Sequence, residues 1–166
     1  MNAVDVGERD PERAPVPWER PSVAGPGAGF TTGSPWLPIV EDAEHLAVAA
    51  QEGNPRSALS LFRRLIELRR ASPALRVGGQ TMLDAGDEML AWLREADGER
   101  WLAAINMSLH GQATTMSLRD QATTGGGELV VSTDPGRGIG RMEGDELTLG
   151  VDEGVLVRLG PEEADE

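Results

Sequence analysis

MLAWLREADGERWLAAINMS, residues 89–108, reads as two strands joined by a tight corner. Met89 to Glu95 and Arg100 to Asn106 are short runs of strand character, and Asp97-Gly98 between them tolerates the positive φ of a type I′ turn. Similar runs lie on either side: Gln80 to Ala85 before, then Ala113 to Leu118, Leu129 to Ser132, Glu146 to Leu149 and Val155 to Leu159. Gly86-Asp87, His110-Gly111, Gly125-Gly126-Gly127, Pro135-Gly136 and Glu153-Gly154 mark the corners. Many short strands at this spacing predict an antiparallel β-sandwich from Gly78 onward. Trp92 and Trp101 fall on the paired strands, where they anchor the core or, in the second reading, form an exposed platform for stacking a sugar ring.

Upstream of Gly78 the period changes. Asn54-Pro55 marks a helix start, with Asn54 capping free N–H groups and Pro55 in the first helical position. Apolar residues at 58, 61, 62, 65, 66 and 68 then form one face of a helix ending at Arg70 or Ala71, before Ser72-Pro73. Arg63, Arg64, Arg69 and Arg70 fit its solvated side. Asp42 to Gln51 predicts a short helix, and residues 1 to about 40, rich in Pro and Gly, predict loop. Irregular chain longer than about 12–15 residues needs a scaffold or a function. The expected class is α+β overall and mainly β.

Composition limits what the chain can be. A complete (β/α)8 barrel needs about 200 residues or more, so 166 residues exclude a stand-alone barrel hydrolase. No cysteine is present, which removes disulfides and thiolate metal sites. No lysine or tyrosine is present either. A net charge of −13 argues against nucleic acid, because binding phosphates depends on Lys and Arg. No apolar run approaches the 18–20 or so residues of a membrane span, and the start lacks a secretory pattern. The expectation is a soluble, cytoplasmic chain.

Isolated motifs carry little. Gly25 to Gly29, GPGAG, has neither a strand before it nor a Gly-Lys-Ser/Thr after it, so it is not read as a phosphate loop. Asp10 with Glu12, and Glu41 with Asp42, are carboxylate pairs without a pocket around them. His45 and His110 lack a nearby ligand set. No metal site and no cofactor is expected.

One long stretch is more specific: ERDPERAPVPWERPSVAGPGAGFTTGSPWLP, Glu8 to Pro38. It resembles the segment R-D-x-x-R-T-P-M-Q-W-D followed by A-G-F-T-x-G-x-P-W-L-P of glycoside hydrolase family 13 α-glucosidases, after the last strand of their barrel. SALSLFRRLIELRRASPALRVG resembles that group's last barrel helix, with Leu68, Arg69, Pro73, Ala74, Leu75, Arg76 and Gly78 matching L-R-x-x-x-P-A-L-R-x-G. Residues 89–108 resemble the first hairpin of its C-terminal sandwich, and STDPGR…GDELTLGVDEGVLVRL its closing strands.

The resemblance implies two domains: residues 1–76 as the end of a (β/α)8 catalytic barrel, rim loop plus last helix, and 77–166 as the C-terminal β-sandwich. It also implies that the catalytic carboxylates of the family's retaining chemistry lie on earlier strands, so that this chain begins after them and names no catalytic residue. One site residue carries over. Arg13 stands five residues before Trp18, as the family's arginine does near its glucose pocket, where a planar guanidinium holds an acidic partner and donates to sugar hydroxyls. Ala14, Val16, Pro17 and Glu19 replace the family's Thr, Met, Gln and Asp, so an exposed structural arginine is the other reading. The expected function is the C-terminal part of an α-glucosidase, inactive alone. Its partners would be a separate barrel chain or a second copy, and an α-glucan or oligosaccharide once a barrel is supplied. The alternative is an independent carbohydrate-binding or structural module.

Overall fold

The computed structural model describes residues 13–118, 126–142 and 144–160. Asp10, Glu12 and the corner residue Gly125 lie outside these residues. The chain divides into two compact units, 1–63 and 64–166.

The first unit is mostly loop around three one-turn helices, α1 (Pro21–Ala24), α2 (Ala43–Leu46) and α3 (Val48–Gln51). The single helix expected over 42–51 is broken at Ala47, whose ψ of 141° is extended and whose side chain is fully buried. The break lets the loop supply what a helix start lacks: Val48 N–H donates to Pro17 O and Ala49 N–H to Trp18 O, at 2.9 and 3.0 Å. Trp18 and Glu19 in turn donate to Ala28 O. Among the described residues of this unit the buried apolar ones are Pro15, Pro17, Ala28, Leu37, Ala43 and Ala47, so Leu37 is the one large aliphatic side chain among them.

Helix α4 (Ala58–Ala71) begins three residues later than Asn54-Pro55 suggests. Ser57 is its cap: Ser57 Oγ accepts from Ser60 N–H at 3.2 Å, and Gln51 Oε1 takes Leu59 N–H at 3.0 Å. Asn54 instead closes a local turn, its Oδ1 accepting from Arg56 N–H. A second helix, α5 (Pro73–Val77), follows where the sequence reads only as a stop. Ser72 caps it through Leu75 N–H, and Pro73 takes the first position.

The second unit holds the β-structure. Strands β1 (Gly79–Met82), β2 (Met89–Ala96), β3 (Glu99–Asn106), β8 (Gly154–Leu159), β5 (Gly127–Ser132) and β6 (Gly140–Arg141) form one antiparallel sheet in that order; β4 (Thr114–Ser117) and β7 (Glu146–Leu149) form a second. The β2–β3 hairpin turns at Asp97-Gly98 with φ of 53° and 78°, the geometry read from the sequence. Ala91, Leu93, Leu102, Ala104, Val155 and Val157 from the large sheet meet Met116, Leu118, Leu147 and Leu149 from the small one, forming an antiparallel sandwich core.

Trp92 and Trp101 do not belong to that core. They take the other parity of β2 and β3 and so point away from the small sheet. Trp101 is 2% exposed, with the Arg158 guanidinium 4.9 Å from its ring centroid, while Trp92 is half-buried. α5 packs on this side, against β2 and β3.

Candidate functional site

All four aromatic side chains of the first unit are exposed: Trp18, Phe30, Trp36 and Phe62, at 54, 50, 86 and 66%. Fully burying one large apolar side chain is worth about 1.5–3 kcal/mol, so four left in water make an expensive and sticky surface. Three of them, Trp18, Phe30 and Trp36, lie on the loop that resembles a rim.

The loop itself is held firmly. Gly29 has a φ of 72°, and a Cβ on Gly27 would collide with Thr31 O, so GPGAG serves a tight turn in which Ala28 is buried. Ser22 ties α1 to α2 through two donors to Glu44: Oγ to Oε1 at 2.6 Å and N–H to Oε2 at 3.2 Å. These hydrogen bonds, the hydroxyl first, hold the Glu44 carboxyl below its ordinary value.

Arg13 is exposed, and its guanidinium lies 5.9 Å from the Trp36 ring centroid. The pair places a cation and an indole face side by side, a combination that can donate to hydroxyls and stack on a pyranose. The sequence singled out Arg13 but not Trp36, Trp18 or Phe30. With aromatics at only 4% of the chain, their concentration in one Pro/Gly-rich loop was the available signal.

The other sequence candidates stay apart. Asp42 Oδ1 pairs with His45 Nδ1 at 2.7 Å on the surface, and Glu41 is exposed. His110 is exposed as well. Among the described residues no group of three metal-ligating side chains exists, and no helix is long and apolar enough to cross a membrane. Of the helix arginines, Arg63 pairs with Glu52 at 3.1 Å, and all four are exposed.

Comparison with known proteins gives this geometry a family. Residues 1–78 match the family model described as "Alpha amylase, catalytic domain". A "Probable alpha-glucosidase" of Rhizobium meliloti strain 1021 is 38% identical over 104 residues, 63% of this chain and 18% of that protein. A "Glucan 1,6-alpha-glucosidase" of Streptococcus pneumoniae serotype 4 is 29% identical over 116 residues, 70% of this chain and 21% of the relative. The crystal structure of trehalulose synthase MutB from Pseudomonas mesoacidophila MX-45 superposes with a TM-score of 0.73 at 27% identity, over 91% of this chain and 26% of that one. The chain thus spans about a fifth of the length of the curated relatives it matches. Together these likenesses support a fragment of glycoside hydrolase family 13, similar to its α-glucosidases and to a synthase of the same fold.

Proposed function

We propose that the chain completes an α-glucosidase-type glycoside hydrolase, with residues 1–76 finishing the catalytic barrel and 77–166 forming the sandwich beside it. The observation that carries this reading is the exposure of Trp18, Phe30, Trp36 and Phe62 on a unit that lies within the match to a catalytic domain. A purely structural module gains nothing from four uncovered aromatics; a domain end that docks on further strands does. In this reading Arg13 and Trp36 sit at the mouth of the sugar pocket, Arg13 donating to an acidic partner or a hydroxyl and Trp36 offering a stacking face. The carboxylates that attack the anomeric carbon and protonate the leaving oxygen belong to the preceding strands. The cysteine-free composition fits a reducing compartment, and we place the protein in the cytoplasm.

The relatives' names favour hydrolysis of an α-glucoside, while the synthase among the structural neighbours shows that the same fold also serves an enzyme named for synthesis. The test is an assay of the purified 166-residue chain on maltose, isomaltose and an aryl α-glucoside. No turnover is expected, because no nucleophile and acid/base pair is available to stabilise the transition state. Turnover that survives repurification and vanishes on a point change in this chain would overturn the reading.

A carbohydrate-binding module is the second reading, favoured by the Arg13–Trp36 pair alone. Titration of the chain with maltose and isomaltose, followed by tryptophan fluorescence, separates the two. Saturable binding lost in Trp36→Ala supports the module.

A further inference from the structure

A groove of about 560 Å3 crosses the outer face of the large sheet, bounded by β1 and β2 on one side and by α5 and the C-terminal half of α4 on the other. Leu65, Leu75, Met82, Leu90 and Trp92 give it apolar walls. Met82 and Leu90 are 53% and 40% exposed, although they belong to a sheet whose other face packs against the small sheet.

Two arginines reach the groove and no acidic residue lines it. Arg69 donates to Leu75 O and Arg76 O at 2.7 and 3.5 Å; Arg94 donates to Ala74 O and Gln80 Oε1 at 3.2 and 3.4 Å. All four acceptors are neutral. Among the described residues neither guanidinium has a carboxylate at ion-pair distance, in a chain with 28 acidic and 15 basic residues. The occupant that completes this groove is apolar and brings carboxylates of its own.

The groove's position identifies that occupant. The family's catalytic-domain match ends at residue 78, and the walls come from both sides of that point: Leu65, Arg69 and Leu75 before it, Met82, Leu90, Trp92 and Arg94 after it. We propose that this groove receives an apolar, carboxylate-bearing segment of the preceding part of the catalytic domain, clamping barrel to sandwich through Arg69 and Arg94. The proposal rests on the reading of the chain as an enzyme's C-terminal part. A second copy offering the same groove would oppose arginines to arginines.

The test uses the absence of native cysteine. Met82→Cys is labelled with a maleimide in the 166-residue chain and in a chimera, the 38%-identical relative with its matching C-terminal segment replaced by this chain. Leu109→Cys, at a site 96% exposed, is the control, and labelling is read by peptide mass spectrometry. Labelling at position 82 is expected to slow about tenfold or more in the chimera while position 109 is unchanged. Adding Arg94→Glu to the chimera is expected to restore the fast rate, with circular dichroism of the same change in the 166-residue chain showing that the sheet persists. Equal labelling at position 82 in both proteins overturns the proposal. Hydrolysis of an aryl α-glucoside by the chimera then decides how far the failure extends: an active chimera leaves the enzymatic reading intact, and an inactive one takes it down too.

Discussion

Arg137 Nη1 donates to Glu153 Oε2 over 2.8 Å, with the carboxylate side chain 3% exposed and the guanidinium side chain 27%. Glu153 also accepts from Ser132 Oγ at 2.6 Å and from Gly150 N–H at 2.8 Å, so one buried carboxylate ties the end of β5 to the turn between β7 and β8. A buried charge with three donors is stable only while all of them remain. Glu153→Ala removes the acceptor and leaves a hydroxyl, an amide and part of a guanidinium unpaired. The expected cost is about 2–4 kcal/mol, read from urea unfolding followed by circular dichroism. A loss below about 1 kcal/mol would show that water replaces the carboxylate freely.

The Ser22–Glu44 contact makes a prediction about pH. Because the two hydrogen bonds favour the charged carboxylate, its folded pKa lies below the unfolded one. The contact's contribution is therefore present above the ordinary glutamate value and is lost as pH falls through the lowered one. Carboxyl-carbon NMR should find Glu44 titrating below the ordinary glutamate value, and Ser22→Ala should move it back up. An unchanged Glu44 titration in Ser22→Ala would refute the assigned cause.

Two polar residues three positions apart separate the sequence reading of α4 from its structure. Ser57→Ala should destabilise the helix start by about 1–2 kcal/mol, since it removes the true cap. Asn54→Ala should cost clearly less, because the Asn54 side chain serves only the Arg56 amide in an exposed turn, and its carbonyl keeps its donors in the variant. Thermal unfolding of the two variants side by side checks the order, and a larger effect at Asn54 would reverse the assignment.

The same contrast explains how much of the fold was legible. Strand pairs such as β2–β3 could be read because Asp97-Gly98 dictates its own turn, whatever surrounds it. Local chemistry also fixed the run of helix from Ala58 to Ala71. Where two local solutions compete, tertiary contacts decide. Asn54 and Ser57 are both good caps, and Gln51 reaching Leu59 N–H favours the later one. Ser72-Pro73 can stop one helix or start another; packing on β2 and β3 starts α5. Face assignment failed for Trp92 and Trp101 because both faces of the large sheet are apolar, which erases the alternation that distinguishes inside from outside. Arg13 could be picked out by resemblance, but its neighbour Trp36 lies 23 residues on and is joined to it only through space.

The α4 surface yields the last prediction. The sequence marks Leu61, Phe62, Leu65 and Ile66 as a face made for burial, and the structure shows it only partly covered: Phe62 is 66% and Leu65 37% exposed, while Leu61 and Ile66 are half-buried. Leu68, on an adjacent part of the helix, is buried at 7%. The exposed members should drive loose, concentration-dependent association of the isolated chain. Charge placed at the exposed positions alone should relieve it without disturbing the fold, so Phe62→Glu with Leu65→Glu is the informative variant. Leu61→Glu should instead cost stability, because it puts a carboxylate among partly buried side chains. Light scattering across a dilution series should show wild-type mass falling toward a monomer and the double variant monomeric throughout, both with the same circular dichroism. A wild type that is monomeric at every concentration, with a double variant that unfolds, would mean that this face already has its cover within the chain.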